Sequence, residues 1–273
     1  MIFDIICQDK NDLESERASV PIVNNLIKCL SPLEVCMSLP DHAIVSQEEW
    51  IEARKELMRR EKEFTRLRDQ LSAERRALPW MRVEQDYLFD GPDGPEPLSA
   101  LFAGRSQLLV YHFMFPEHWE QGCKSCSFWA DGFDGVLVHL AARDVTMVVI
   151  SKASRPKLAA FQARMGWKFR WYSSANNRFN QDFGVTFSDE EIASRARNYN
   201  FGTAAFGVQE APGVSVFARS EAGEIFRTYS AYSRGIDLLN PAYNYLDLVP
   251  RGRDEPTPPG PMAWLRHHDR YDP

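Results

Sequence analysis

The stretch LLVYHFMFPEHWEQGCKSCSFWADGFDG, Leu108 to Gly135, decides the fold. LLVYHFMF (Leu108 to Phe115) is continuously apolar and aromatic, which is the pattern of a strand buried on both faces. After seven intervening residues Cys123-Lys124-Ser125-Cys126 opens a run that reads as a helix from Cys123 to Ala142. A cysteine at a helix start meets backbone N–H groups without intrahelical partners, and both they and the helix dipole favour the thiolate. Lys124 adds positive charge beside it. The second cysteine, one turn on, is placed to attack a mixed disulfide formed at the first. Cys123 is therefore expected to be the attacking and partly exposed thiol, and Cys126 the resolving one.

Outward from that stretch the pattern alternates. VTMVVIS (Val145 to Ser151) reads as a second buried strand, Arg155 to Met165 as a helix, and FRWYS (Phe169 to Ser173) as a short strand. An Asn-rich, partly helical insertion follows, with Phe179, Asn180, Asp182 and Gly184. VSVFAR (Val214 to Arg219) turns through Glu221-Ala222-Gly223 into EIFRTYS (Glu224 to Ser230) as an antiparallel hairpin. Strand, helix, strand, helix, strand and hairpin is an α/β order with a mixed sheet, the chain order of a thioredoxin-like fold. Pro212 stands before the last hairpin, where such folds set a cis-proline beside the dithiol; an ordinary trans turn proline is the other reading.

The flanks divide the chain. Residues 1–43 hold Cys7, Cys29 and Cys36 without a sustained period and read as an extension of poor order, or as the product of a start codon placed too far upstream. Residues 44–78 read as one long helix: Ser46 and Glu49 form a capping-box pattern, and Trp50, Leu57, Phe64 and Leu71 recur every seven residues with Ala53 and Leu67 beside them. That stripe faces either its own domain or a second subunit, which raises a homodimer through this helix. Residues 79–249 are the thioredoxin-like domain, entered through a Pro- and Gly-punctuated hairpin region. Residues 250–273 are a proline-rich tail carrying Trp264, His267, His268, Asp269 and Tyr271. The favoured reading of the tail is that Trp264 and Tyr271 pin it while the histidines face water; in the other reading it folds back and supplies a base for Cys126.

Composition narrows the function. The chain has 273 residues, 44% hydrophobic, and a net charge of -6, which argues against nucleic acid as a partner. No run reaches the roughly 20 apolar residues of a membrane span, and the first residues are acidic where a secretory signal is cationic. A cytoplasmic location is expected. Five cysteines in this spacing give no secreted disulfide framework. Zinc would need a second histidine near His139, and haem attachment a histidine where Ser127 stands, so no metal or cofactor is assigned. Trp119, Phe128 and Trp129 flank the dithiol as a docking surface or, for the last two, as core.

SQEEWIEARKELMRREKEFTRLRDQLSAERRALPW, YHFMFPEHWEQGCKSCSFWADGFDG, FNQDFGV and SVFARSEAGEIFRTYSAYSRGIDLLNPAYNYLDLVPRGRDE resemble, over roughly residues 44–271, a bacterial family of thioredoxin-like proteins described as a domain of unknown function. The resemblance implies the fold and supplies no substrate. Members often carry histidine at the position of Arg227, so no proton-transfer role is carried over to that residue. The spacing of Pro116 from Cys123 is similar to that of peroxiredoxins, whereas the Cys-x-x-Cys is similar to thioredoxin. Peroxiredoxins keep Thr or Ser three residues before the cysteine. This chain has Glu120, whose carboxylate would oppose thiolate formation. The leading expectation is a thiol–disulfide oxidoreductase acting on protein or low-molecular-weight disulfides with an unknown electron donor; a redox-sensing or interaction module and a peroxiredoxin-like peroxidase are the alternatives.

Overall fold

A computed structural model describes residues 41–255 and 258–272. Residues 1–40, with Cys7, Cys29 and Cys36, lie outside the described residues.

Eight strands form one sheet: β1 (Met81–Arg82), β2 (Leu88–Gly91), β3 (Gly94–Pro97), β4 (Gln107–His112), β5 (Val145–Ser151), β6 (Trp171–Ser173), β7 (Gly213–Arg219) and β8 (Ile225–Tyr232), in the spatial order β1-β8-β7-β4-β5-β6-β2-β3. At its centre β4 pairs parallel with β5 and antiparallel with β7, and β8 closes a hairpin on β7 with a bulge between Val216 and Phe217. Two parallel strands joined through a helical crossover, followed by an antiparallel hairpin on the other side of the first strand, is the thioredoxin-like arrangement.

Alternation along β4 sorts its side chains into two cores. Leu109, Tyr111 and Phe113 face the layer holding both cysteines, Trp129, Phe161 and Trp171, while Leu108 and Val110 face Phe89, Phe102, Phe179 and Phe217. Burial on both faces explains why β4 and β5 read as unbroken apolar runs.

Several boundaries differ from expectation for local reasons. The helix expected over 123–142 is two helices, α2 (Lys124–Ala130) and α3 (Asp134–Ala141). At the break a Cβ on Gly132 would lie 2.9 Å from Pro241, so a bare backbone there lets α7 (Pro241–Leu246) pack close. β4 leaves the ladder after His112, although the Phe113 N–H still donates to Ile150 O at 2.9 Å. α4 (Arg155–Met165) has its expected bounds, and the third strand is shorter than expected. Within the 174–212 insertion lie the short α5 (Phe179–Asp182) and α6 (Asp189–Ala193).

α1 (Gln47–Ala77) has the expected capping box, yet none of its residues is buried, and Trp50, Leu57, Phe64, Leu67 and Leu71 are all exposed. The stripe does not lie on this chain's own core; near the helix end, Arg75 stacks 5.8 Å from the Tyr229 ring. No described helix is long and apolar enough to cross a membrane.

Candidate functional site

Two residues before α2 the chain makes a close approach that fixes the site. A Cβ on Gly122 would lie 2.8 Å from the rings of both Phe113 and Phe161, so only glycine lets the backbone settle onto this aromatic floor. Cys123 follows as the N-cap of α2, its N–H donating to Met114 O at 3.1 Å and its carbonyl accepting from Ser127 N and Ser127 Oγ, both at 2.9 Å. The loop thus presses the dithiol into the core. Cys123 and Cys126 are 2% and 1% exposed, which corrects the expectation that Cys123 is partly open to solvent.

Both residues are thiols, in hydrogen-bond contact with each other. The N-cap sulfur does not cap α2. The backbone donor serves the other cysteine: Met114 N–H points to Cys126 Sγ at 3.4 Å. Burial, and then the neighbouring Cys123, push the Cys126 thiol well above its ordinary range, while the Met114 N–H and the Tyr111 hydroxyl pull the other way. Tyr111 is itself fully buried, and burial first of all holds its phenol protonated. Its hydroxyl lies close to the Cys126 sulfur and makes no hydrogen bond among the described residues.

The thiols line a cavity of about 70 Å³. Its inner wall is Tyr111, Met114 and Trp129, and Pro212 and Ile236 close its sides. The Ala211–Pro212 bond is trans. Tyr199 holds that loop, its hydroxyl donating to Pro212 O at 2.6 Å. Ser125 is buried against the same cavity, and its hydroxyl has no hydrogen-bond partner.

The outer wall comes from the chain's end: Glu255, Pro261 and Met262. One carboxylate oxygen of Glu255 accepts from Tyr243 Oη at 2.7 Å, Met262 N at 3.0 Å and Trp264 Nε1 at 2.9 Å. Beyond it Leu265 is fully buried, and His267 Nε2 donates to Gly122 O at 2.8 Å. His268 Nδ1 lies 2.7 Å from Asp131 Oδ1, and Arg164 grips Asp269 with two bonds of 2.8 Å. The tail therefore folds back across the dithiol, and the expectation that the histidines face water is corrected for His267, while His268 stays exposed. Its reach shows why: the buried Gly122 carbonyl needs a donor, and the His267 imidazole supplies one. Burial lowers the His267 pKa, keeping it neutral.

Of the expected residues, Cys123, Cys126 and Pro212 come together at the cavity. Lys124 and Trp119 are half-buried and do not line it, and Trp119 packs against the core instead. Phe128 packs edge-on to Tyr243 and Trp264, as core. Glu120 is exposed and outside the cavity. His139 is exposed on α3. Tyr111, Ser125 and Glu255 are additions that the sequence pattern did not single out.

Two buried titratable groups lie away from the cavity. His112, on the opposite face of β4, contacts Ser215 Oγ at 2.9 Å, and a chain of hydroxyls continues through Ser230 to Arg227. Burial first, and then the Arg227 charge, lower its pKa to about 3. Glu210, two residues before Pro212, accepts from Asn180 Nδ2 at 3.1 Å and Thr186 Oγ1 at 2.5 Å. Burial raises its pKa to about 7 against those donors and Lys152.

Comparison with known proteins gives a family and distant likenesses. A family of bacterial proteins of unknown function, DUF899, matches residues 39–271. Peroxidoxin BcpB from Mycobacterium tuberculosis is similar with a TM-score of 0.40 and 16% identity over 59% of this chain and 92% of that one. A PrxQ mutant from Xylella fastidiosa gives 0.39 and 12% over 61% and 95%, and a peroxiredoxin Q mutant from Xanthomonas campestris 0.39 and 13% over 60% and 96%. No curated protein matches the chain.

Proposed function

The chain belongs to the bacterial DUF899 family, and we propose that it is a thiol–disulfide oxidoreductase whose working pair is Cys123 and Cys126. The observation that carries this reading is the pairing of two contacting thiols at a cavity, one of them receiving a backbone N–H with a buried phenol close by.

The chemistry needs one sulfur to attack and one to wait. Cys126 suits the waiting role, because burial keeps its thiol protonated until a mixed disulfide forms beside it. The Cys123 thiolate attacks a substrate disulfide RS–SR, forming Cys123–S–S–R and releasing RS⁻, which takes up a proton. The Cys126 thiol then loses its proton and attacks Cys123 Sγ, expelling the second RS⁻. The Met114 N–H and Tyr111 Oη stabilise the sulfur anion at that step. Two protein thiols are oxidised, one disulfide is reduced to two thiols, and an external dithiol reverses the change for the next turnover.

The test uses single cysteine variants with a small disulfide. Cys126→Ser should trap a stable mixed disulfide at Cys123, and Cys123→Ser should form none. Failure of the reduced wild type to form its internal disulfide would overturn the proposal.

A peroxidase using the same cysteines is a second reading. Glu120, the carboxylate expected to oppose thiolate formation, is exposed and away from the cavity, which removes that objection. Peroxide consumption measured beside disulfide reduction separates the two.

A further inference from the structure

We infer that the C-terminal segment 258–271, together with Glu255, is a strap that reserves the dithiol for low-molecular-weight disulfides and closes it to protein disulfides. The inference rests on the dithiol reading above and adds the substrate class.

Disulfide exchange requires the attacking sulfur to line up with the S–S bond of its substrate, so the substrate must reach sulfur contact. A protein disulfide arrives with backbone on both sides. Here the two sulfurs belong to residues 2% and 1% exposed. The space beside them is about 70 Å³, enough for a few waters or one compact molecule. No folded segment fits there while the strap is in place.

The strap is tied at points well separated along its length. Glu255 binds Tyr243 of α7 together with Met262 and Trp264 of the strap itself. Trp264 lies edge-on to Phe128 of α2 at 5.6 Å, and Leu265 is fully buried. His267 bonds the carbonyl next to Cys123, and Arg164 of α4 holds Asp269 through both carboxylate oxygens. These ties make it a fixed wall, not a frayed end.

The second observation concerns what the cavity accepts. Its walls are mostly apolar, with Met114, Trp129, Ile236 and Met262, yet the buried Ser125 hydroxyl there has no partner. Buried hydroxyls are ordinarily hydrogen-bonded. A compact disulfide whose short carbon arm carries a hydroxyl or carbonyl oxygen matches both features: the arm meets the apolar wall and the oxygen meets Ser125.

The experiment compares bis(2-hydroxyethyl) disulfide with insulin, using pre-reduced protein in single turnover so that no electron donor is needed. The loss of two protein thiols is followed by stopped flow. The wild type should react with the small disulfide at least about a hundredfold faster than with insulin, a difference of about 2.7 kcal/mol in barrier. The double variant Glu255→Ala/Asp269→Ala, checked for an intact near-ultraviolet dichroism spectrum and for proteolytic release of the tail, should gain at least about tenfold on insulin. Wild-type rates on the two substrates within about threefold would overturn the inference and leave the dithiol reading standing. A released tail without gain on insulin would overturn it as well. Oxidation by neither disulfide in either protein would overturn the dithiol reading, and the inference with it.

Discussion

Replacing Glu210 by glutamine should change how stability depends on pH, by an amount set by burial. The carboxyl ordinarily titrates at 4.5 and here at about 7. Between those values the folded protein holds a proton that the unfolded chain has released, so this group's contribution falls as pH rises. Over that span of about 2.5 pH units the loss is about 3 kcal/mol. His112 acts in the opposite sense: its pKa falls from 6.5 to about 3, so the unfolded chain holds the extra proton and stability rises with pH across that range. The two slopes overlap between pH 4.5 and 6.5 and oppose each other. Glutamine keeps the geometry, since its oxygen can accept from Asn180 and its amide can donate to Thr186 Oγ1. Urea unfolding from pH 4.5 to 7.5 should therefore show wild-type stability falling relative to Glu210→Gln by about 3 kcal/mol across the range. The variant alone should rise with pH between 4.5 and 6.5, as the unmasked histidine requires. Parallel curves for the two proteins would refute the assignment of Glu210 as a buried group protonated in weak acid.

Two further outcomes follow from the buried site. Iodoacetamide should label Cys123 and Cys126 at least about a hundredfold more slowly in the native protein than in the unfolded one, because the reagent must await opening; native labelling within about threefold of the unfolded rate would contradict their burial. His267→Ala should cost about 1–3 kcal/mol in urea unfolding, by leaving the buried Gly122 carbonyl without its donor. The pH profile of exchange near neutrality should not move, because the imidazole is already neutral there; a displaced profile would make His267 a proton carrier.

What the sequence disclosed and what it hid divide along a physical line. β5 and α4 were legible to the residue, since each is announced by its own period and its own stops. The dithiol was legible because its placement after a buried strand is local. The break after Ala130 was not, because it depends on Pro241, more than a hundred residues away, coming to rest on Gly132. Nor was the fate of α1's apolar stripe, because periodicity reports that a face is apolar and not what covers it.

The burial of Cys123 departs from expectation for a reason that also explains its chemistry. A cysteine at a helix start is expected to stand open, and the letters around it, Glu120, Gln121 and Lys124, are polar. Burial was decided instead by Gly122, whose missing side chain lets the loop drop onto Phe113 and Phe161, 2.8 Å from where a Cβ would be. Once the loop sinks, the Gly122 carbonyl sinks with it, and a donor from elsewhere must follow; His267 brings the tail across to meet it. The same descent carries Cys126 under Tyr111 and the Met114 N–H. One glycine thus links the aromatic floor, the reach of the tail and the setting of the thiols. Gly122→Ala should disturb all three together, because the added methyl has no room and the loop must rise.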